Sequence, residues 1–511
     1  MNLAAMVRYW ARWRPEHTAV IYDDREVSWG ELDARSDAIA RGLRNAGVAK
    51  GDRVGLLMAN RIEAPLATVA CLKLGAILVP HNFRLTGAEI LPLLEDADCK
   101  VVLTEAAYLS NLETASRTLP FSIYVIGPGD AQPFADVVIE TGAAPKETIS
   151  LSDPAFICYT SGTTGQQKGA LLTHGSAIYP GMAKNIAEGL TWRDKIMVAV
   201  PYVFTGALIS CFIQFTVNAG GTMVLESDFD IDRYLRTIEK HRVSVATTVP
   251  VIWERLMRSP DFEKADLSSM ISAAAGGAPV SIDLIEAYKD KGISMIQSYG
   301  LTEASGLVGT MHGEDAMRRI GWAGRAIMGT EVRIGDDDGK TLPLGEAGEI
   351  LVKGPHVMQG YWRKPEMSVE TIVDGWLRTG DIGSMDDEGF LKIMDRSKDM
   401  LISGGINVYP AEIERALAGV PGIGELAVIG VPDADWGEVP MIVASAVQDR
   451  SAVISGIERE GESALAKFKR PRSILFLDEP LPRTLSGKVS KPTLRGMFPN
   501  RPASAQSLFG R

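Results

Sequence analysis

The stretch Tyr159-Thr-Ser-Gly-Thr-Thr-Gly-Gln-Gln-Lys-Gly169 combines glycines, small hydroxyl residues and one lysine. It follows the apolar run Ala155-Phe-Ile-Cys-Tyr159, which predicts a short buried strand. Glycines let backbone N–H groups approach an anion closely, and hydroxyl groups and Lys168 add donors and positive charge. The stretch therefore predicts a phosphate-binding loop. A flexible linker is the alternative, but the preceding strand and Lys168 disfavour it.

This loop does not follow the common nucleotide-binding pattern, in which a glycine is followed directly by a lysine and then by Ser or Thr. Here Lys168 is preceded by Gln167 and followed by Gly169. The mismatch disfavours a kinase or a GTPase, so the remaining chain has to identify the chemistry.

The length and composition of the chain limit its domain number and its possible partners. The chain has 511 residues, which favours two or more domains. It is 46% hydrophobic and 23% charged, as in ordinary globular proteins. The formal net charge of -11 disfavours nucleic acid as a partner, because nucleic-acid binders usually present a strongly basic surface.

The four cysteines, Cys71, Cys99, Cys158 and Cys211, are far apart and predict buried, reduced thiols and not a zinc or redox site. The first residues do not have the pattern of a secretion signal, and no apolar run reaches the ~20 residues of a membrane-spanning helix. The expectation from these patterns is a cytoplasmic protein without a transmembrane segment.

Strands alternate with helices over the first 300 residues. Asp52–Met58, Ile77–Pro80 and Thr222–Leu225 predict buried strands, and helices separate them in sequence. Ser28-Trp-Gly-Glu31 predicts a helix start with a capping box. The alternation predicts an α/β fold, with parallel sheets covered by helices.

The pattern changes after about residue 325. Short strands and turns over 325–395 predict a small strand-rich barrel or sheet belonging to the N-terminal domain, 1–395. Residues 400–495 predict a small, compact α+β domain, with a helix near Ser463–Lys469. Residues 496–511 predict a mobile tail.

Five unusual segments occur in order along the chain: the loop at 159–169, Tyr299-Gly-Leu-Thr-Glu303, Leu377-Arg-Thr-Gly-Asp381, the segment 395–410 and Pro482-Arg-Thr-Leu-Ser-Gly-Lys488. Together they closely resemble the adenylate-forming superfamily, which includes acyl-CoA synthetases, firefly luciferase and the adenylation domains of peptide synthetases. The resemblance covers residues 15–495.

The resemblance implies a two-step reaction. A carboxylate attacks the α-phosphate of ATP and gives an acyl-adenylate and pyrophosphate; coenzyme A then displaces AMP and forms a thioester. The implied partners are a small carboxylic acid, ATP, Mg²⁺ and coenzyme A, with no bound organic redox cofactor. The chain is expected to act as a monomer or a homodimer.

The resemblance also implies roles for individual residues. The β- and γ-phosphates would be held by Thr160, Ser161, Gly162, Thr163, Thr164, Gly165 and Lys168. Thr302 would contact the α-phosphate, and Glu303 would help to hold Mg²⁺. Adenine and ribose would be held by Gly276, Gly277, Ala278, Tyr299, Gly300, Asp381 and Arg396.

Lys488 resembles the catalytic lysine of the family, which bridges the carboxylate and the α-phosphate. Lys398, within 396–399, resembles the hinge about which the small domain rotates between the half-reactions. The resemblance places coenzyme A against Ser403, Gly404, Gly405, Trp436, Phe468, Lys469 and Arg470. For the last four residues, a solvated surface cluster is the competing interpretation.

The acyl pocket is expected to contain Tyr202, Val203, Phe204, Thr205, Val249 and Leu301. Phe204 stands where many relatives carry a histidine, and Thr205 stands where amino-acid-activating relatives carry an aspartate. These pocket segments contain no arginine or lysine, which disfavours a dicarboxylate such as malonate. The sequence therefore predicts an apolar aryl, aryl-propenoic or fatty monocarboxylate.

Two alternatives remain open at this point. One is an acyl-AMP ligase that loads a carrier protein; Trp436 and the cations at 469–470 favour coenzyme A over it. The other is a nucleotide-binding relative without catalytic activity, which Lys168, Glu303, Asp381 and Lys488 disfavour.

Overall fold

The structure is a computed structural model that describes residues 2–160, 167–276, 280–311, 313–319, 321–396, 399–403, 406–433, 436–447, 449–484 and 488–509. The chain divides into two compact units. The first comprises Met1–Arg333, Leu351–Thr379 and Asp386–Lys392, and the second comprises Ile334–Ile350, Gly380–Met385 and Ile393–Arg511.

The first unit contains a nine-stranded sheet. Its strands lie in the order Arg325–Ala326, Gly309–Met311, Ser294–Tyr299, Ser272–Gly276, Val245–Thr248, Lys195–Val198, Thr222–Leu225, Thr18–Tyr22 and Arg25–Ser28. The six strands from Ser294–Tyr299 to Thr18–Tyr22 in this list pair in parallel, each with its neighbours. The carboxyl ends of Ser272–Gly276 and Ser294–Tyr299 therefore meet at one edge of the sheet.

An eight-stranded sheet completes this unit. Its order is Gly360–Tyr361, Lys168–Thr173, Pro154–Thr160, Ile77–Pro80, Arg53–Leu57, Val101–Glu105, Ser122–Ile126 and Gln132–Pro133. The last six strands pair in parallel, and the first two pairs are antiparallel. The parallel α/β class predicted from the alternation of strands and helices is confirmed.

Helices cover these sheets. The α-helices of the first unit are Leu3–Trp13, Trp29–Asn45, Glu63–Leu74, Gly87–Ala97, Glu113–Thr118, His174–Glu188, Ile231–His241, Pro250–Met257, Ile282–Asp290, Gly313–Ala316 and Pro365–Thr371. Short 3₁₀ segments occur at Ala106–Leu112, Phe134–Val137 and Thr302–Ala304, and Gly206–Val217 is a π-helix. The predicted capping box is present, since the Ser28 hydroxyl accepts from Glu31 N–H and the Glu31 carboxylate accepts from Ser28 N–H.

Large side chains fill the core beside the nine-stranded sheet. Trp253 and Tyr288 are fully buried and contact each other edge to face, with ring centroids 5.3 Å apart. The Trp253 indole N–H donates to the Ala274 carbonyl at 3.0 Å, so burying the ring leaves its donor satisfied. Trp253 thereby ties a covering helix to a central strand. All four cysteines are buried and free, as predicted.

The strand-rich segment forms a five-stranded sheet of Glu331–Gly335, Gly348–Lys353, Trp376–Met385 and Ile372–Val373, with Leu391–Arg396 also pairing with Trp376–Met385. Residues of this sheet belong to both units. The assignment of 325–395 to the N-terminal domain stays a prediction.

The second unit is built on a six-stranded sheet of Ile406–Val408, Leu401–Ser403, Gly437–Ser445, Ser473–Leu477 and Gln506–Ser507, with Glu425–Asp433 pairing with Gly437–Ser445. Consecutive residues of one strand, Val428 and Ile429, belong to separate hydrophobic clusters. Since side chains alternate across a strand, both faces of this sheet are covered. The small C-terminal α+β domain is confirmed.

One prediction for this unit is wrong. The helix expected near Ser463–Lys469 instead runs over Arg450–Ala464 and is followed by a 3₁₀ turn at Lys467–Lys469. Gly456 and Gly461 lowered the helical signal of the true helix. These glycines are needed because a Cβ would lie 2.7 Å from Val420 and from the Phe509 ring, respectively.

Residues near the end of the chain pack against this sheet, and the mobility of 496–511 stays a prediction. Gln506–Ser507 pairs with Ser473–Leu477, and Leu508 is fully buried. Leu508 N–H also donates to the Arg472 carbonyl at 3.1 Å. The two remaining helices of the unit are Pro410–Leu417 and Lys491–Met497.

Candidate active site

The predicted phosphate loop connects two antiparallel strands of the eight-stranded sheet. Thr160 ends the first strand and pairs with Lys168, which begins the second. The hairpin therefore fixes both ends of the loop. The predicted phosphate-binding residues Ser161, Gly162, Thr163, Thr164 and Gly165 lie outside the described residues.

Glu303 lies beside this hairpin. Its Oε1 accepts hydrogen bonds from the Thr160 hydroxyl at 3.3 Å and from the Tyr361 hydroxyl at 3.0 Å. The Lys168 ammonium lies 5.3 Å from the centroid of the Tyr361 ring. Four residues from separate stretches of the chain thus bring hydroxyl donors, a carboxylate and a cation together, which is what a magnesium-bound polyphosphate requires.

The turn that carries Glu303 has a constrained backbone. Thr302–Ala304 is a 3₁₀ turn, and Ser305 follows with φ of 51°. A Cβ at Gly300 would clash with the Gly306 carbonyl oxygen, so only glycine fits where the two arms of the turn meet. Met358 N–H donates to the Glu303 carbonyl at 2.8 Å and holds the turn from outside.

Thr302 connects this turn to the predicted acyl pocket. Its hydroxyl lies 3.1 Å from that of Thr205, which directly precedes the π-helix Gly206–Val217. Cys158 also lies here and hydrogen-bonds to Thr205, but burial raises the pKa of the Cys158 thiol to about 12. The thiol therefore stays neutral and is a structural neighbour, not a nucleophile.

The other predicted pocket residues differ in exposure. Tyr202 is fully buried, and its hydroxyl lies 3.0 Å from the Thr68 hydroxyl. Val203 is buried, whereas Phe204, Val249 and Leu301 are half-buried. Tyr202 thus has a partner in the protein core, and the half-buried residues are the ones available to contact a substrate.

The residues predicted to bind adenine are partly described. Gly276 and Tyr299 end adjacent parallel strands, and Tyr299 is buried. Gly277 and Ala278 lie outside the described residues. The register therefore brings the two described residues to the carboxyl edge of the sheet, where ligands bind in open parallel sheets.

In the second unit, Asp381 is buried within the strand Trp376–Met385. Gly380, directly before it, donates its N–H to the Glu349 carboxylate at 2.9 Å. Arg396 belongs to a described strand, but its side chain lies outside the described residues, as do Lys398, Gly404 and Gly405.

The residues predicted to contact coenzyme A have unequal surroundings. Ser403 is buried, and Trp436 is 37% exposed, with the Arg472 guanidinium 5.1 Å from its ring centroid.

Lys469 forms an ion pair with Glu412 at 2.7 Å. Arg470 donates to the carbonyls of Leu465 and Glu462, each at 3.1 Å. The Phe468 side chain lies outside the described residues. Lys469 and Arg470 thus have structural partners, while Trp436 and Arg472 form an exposed aromatic–cation pair that the sequence did not predict.

Lys488 is exposed and ends a short hairpin. Its carbonyl accepts from Thr484 N–H at 2.6 Å, and Arg483 and Val489 form an antiparallel bridge around it. Among the described residues, no group of three or more His, Cys, Asp or Glu side chains forms a metal cluster. Within the same part of the chain, each helix is too short or too polar to cross a membrane.

The chain is similar in sequence to a known family of enzymes. Residues 7–362 match the family described as AMP-binding enzyme, and residues 412–488 match the AMP-binding enzyme C-terminal domain. The chain is 37% identical to a feruloyl-CoA synthase of an Amycolatopsis species, covering 96% of this chain and 97% of that protein. It is 36% identical to a long-chain-fatty-acid–CoA ligase of Mycobacterium tuberculosis, covering 97% and 98%.

A solved structure shows the same likeness. The o-succinylbenzoate CoA synthetase of Bacillus subtilis, in complex with its acyl-adenylate intermediate, superposes with a TM-score of 0.85 at 32% identity. The match covers 96% of this chain and 97% of that one.

Proposed function

Because the chain belongs to the AMP-binding enzyme family, we propose that it is an acid–CoA ligase that forms AMP. In the first step a carboxylate oxygen attacks the α-phosphorus of ATP, and pyrophosphate leaves. In the second step the sulfur of coenzyme A attacks the acyl carbon, and AMP leaves. The observation that carries the proposal is the convergence of Thr160, Lys168 and Tyr361 around Glu303.

The first step brings two anions together, so positive charge and donors are needed where negative charge develops. Lys168 and the Thr160 hydroxyl would hold the β- and γ-phosphates, and Thr302 would contact the α-phosphate. Lys488 would bridge the substrate carboxylate and the α-phosphate, because an ammonium is a compact point charge on a flexible stem. Asp381 would accept hydrogen bonds from the ribose hydroxyls.

The residues around Glu303 fit Mg²⁺. Both described hydrogen bonds to the Glu303 carboxylate go to Oε1, so among the described residues Oε2 has no hydrogen-bond donor. Mg²⁺ is typically bound by one or two carboxylate oxygens together with water and substrate phosphates. When bound, the ion would neutralise phosphate charge; Tyr361 and Thr160 would orient the carboxylate toward it.

An acid with an apolar body suits the proposed pocket. Leu208, Ile209 and Phe212 of the π-helix are fully buried, and Phe204 precedes the helix where an imidazole would be more polar. The similar proteins named above include ligases for an aryl-propenoic acid and for long-chain fatty acids. We therefore expect cinnamate-like or fatty acids to be better substrates than malonate.

The test is a panel of carboxylic acids incubated with ATP, Mg²⁺ and coenzyme A. Pyrophosphate, AMP and acyl-CoA formed in equal amounts would support the proposal. Pyrophosphate and acyl-adenylate formed without any acyl-CoA, although coenzyme A is present, would instead favour a ligase that loads a carrier protein. ADP as the product, or malonate or an amino acid as the best substrate, would contradict it.

A further inference from the structure

The Thr302 hydroxyl, which the proposed reaction places at the α-phosphate, has one hydrogen-bond partner among the described residues. That partner is the Thr205 hydroxyl, and the two oxygen atoms lie 3.1 Å apart. A hydroxyl group rotates about its C–O bond, so a neighbouring group decides where its proton points. The direction of the Thr302 proton therefore depends on Thr205.

The Thr205 hydroxyl has a second neighbour, the Cys158 thiol. This thiol is buried and hydrogen-bonds to Thr205. A neutral thiol keeps its proton and is a weak donor. A phosphate oxygen can only accept, so with a nucleotide bound the protons would align in one direction along the chain of groups. Cys158 donates to Thr205, Thr205 donates to Thr302, and Thr302 donates to the phosphate.

The segment that follows Thr302 lies against the start of the π-helix Gly206–Val217. Thr205 directly precedes this helix and has a helical backbone, with φ of -51° and ψ of -40°. A Cβ at Gly306 would lie 2.8 Å from the Ser210 hydroxyl and 3.6 Å from the Thr205 methyl group. Glycine at 306 thus allows the close approach that brings the two threonine hydroxyls together.

A second contact ties the same helix to the same turn. The Gln214 amide donates to the Ser305 carbonyl at 2.6 Å, and both residues are buried. The Ser305 hydroxyl donates in turn to the His356 carbonyl at 2.9 Å. The π-helix therefore holds the turn at two points, and π-helical segments are frequent at functional sites.

We propose that Thr205 is a positioning residue for adenylate formation, whose hydroxyl donates to Thr302 and aims the Thr302 proton at the α-phosphate. The proposal rests on the ligase activity proposed above. It gives a second role to a residue expected only to line the acyl pocket. A donor that is oriented before the reaction stabilises the charge of the transition state without reorganising, which a freely rotating hydroxyl cannot do.

The test is a double-mutant cycle of Thr205→Val, Thr302→Val and the double variant. Valine has nearly the shape of threonine and lacks the hydroxyl. Thr205→Val should lower the kcat of pyrophosphate release about tenfold, which is less than the ~10²-fold typical of removing a stabilising donor itself. In the Thr302→Val background the same substitution should lower kcat less than about twofold, because Thr205 acts through Thr302.

Two further variants exclude a merely structural effect. Thr205→Ser keeps the hydroxyl and should keep kcat within about threefold of the unmodified enzyme, since the hydrogen bond is retained. Thr222→Val is the matched control. The Thr222 hydroxyl donates to the Thr18 carbonyl at 2.6 Å, at the amino end of a parallel strand and away from the carboxyl edge. Its loss should leave kcat unchanged, and thermal unfolding shows that each variant is folded.

The same cycle is read in the dissociation constant of AMP, whose one phosphate is the α-phosphate. Thr205→Val should weaken AMP binding about threefold in the enzyme and leave it unchanged in Thr302→Val, as expected for one lost hydrogen bond. If the enzyme turns over acids, kcat decides the proposal. If it turns over none, the ligase proposal fails and AMP binding decides.

A loss confined to the background that retains Thr302, and absent in Thr205→Ser, would support the role of Thr205. Equal effects of Thr205→Val in both backgrounds would overturn it, as would a loss of the same size in Thr205→Ser. A protein that neither turns over an acid nor binds AMP would overturn both proposals.

Discussion

The Tyr361 hydroxyl donates a 3.0 Å hydrogen bond to the Glu303 carboxylate, and the Thr160 hydroxyl donates to the same oxygen at 3.3 Å. Tyr361 lies 58 residues after Glu303, in a two-residue strand that pairs with the strand beginning at Lys168. The tyrosine therefore fixes the orientation of the proposed magnesium ligand and also covers one side of Lys168.

Tyr361→Phe should weaken the proposed Mg²⁺ site, because the carboxylate loses one of its two orienting donors. Removing such a partner typically lowers metal affinity or activity by about 10–100-fold. The Mg²⁺ concentration for half-maximal pyrophosphate release is therefore expected to rise by about tenfold or more. The measurement is a Mg²⁺ titration at saturating ATP and acid.

Tyr9→Phe is the control for that titration, since Tyr9 is 48% exposed on the N-terminal helix. It should leave the Mg²⁺ dependence unchanged. An unchanged Mg²⁺ dependence in Tyr361→Phe itself would show that the hydroxyl does not act on the metal site.

Gly300→Ala should disrupt the turn that carries Thr302 and Glu303, because the added methyl group would clash with the Gly306 carbonyl oxygen. Forcing an extra carbon into a packed region costs about 1–3 kcal/mol. We expect a lower melting temperature and a loss of adenylate formation that exceeds the loss of stability. The measurements are thermal unfolding and pyrophosphate release on the same sample.

Gly419→Ala is the matched control, because a Cβ there meets no atom within 4 Å. It should change neither quantity. Full adenylation activity in Gly300→Ala would mean that the contact between the two arms of the turn does not position the site.

The family and the parallel sheets could be predicted because they depend on local patterns. The phosphate-loop stretch, the Ser28 capping box and the apolar runs of the strands each carry their signal within about ten residues. Tyr361 could not be predicted in this way, because its role arises from strand pairing between distant segments. The residues around Tyr361, including Arg363 with its positive φ, give no local sign that the tyrosine hydroxyl contacts a carboxylate.

The helix Arg450–Ala464 was missed for another reason, since Gly456 and Gly461 weaken helical propensity where close packing requires them.

Acid should destabilise the protein through His81. Burial lowers the pKa of His81 from its ordinary value near 6.5 to about 4, and neither ring nitrogen has a partner among the described residues. The unfolded chain therefore binds a proton below about pH 6.5, whereas the folded protein does not until about pH 4. Stability is fully present above pH 6.5 and falls as the pH drops toward 4.

At pH 5.5 this one histidine should lower the free energy of unfolding by about 1.4 kcal/mol relative to pH 7.5. His81→Leu removes the titrating group, so the difference between the two pH values should shrink by about that amount. Urea unfolding at both pH values measures it. An equal pH dependence in the enzyme and the variant would show that His81 is not the group responsible.

Lys488→Ala should separate the two half-reactions. Lys488 is exposed, so the substitution should leave the hairpin backbone in place. Loss of one preorganised charge should slow adenylate formation by roughly 10²-fold or more. Conversion of supplied acyl-adenylate to acyl-CoA should change much less, because the α-phosphate is already bonded to the acid. Pyrophosphate release measures the first step, and acyl-CoA formed from synthetic adenylate measures the second. Lys467→Ala, another exposed lysine of the same unit, should affect neither, and an equal loss in both steps for Lys488→Ala would contradict the assigned role.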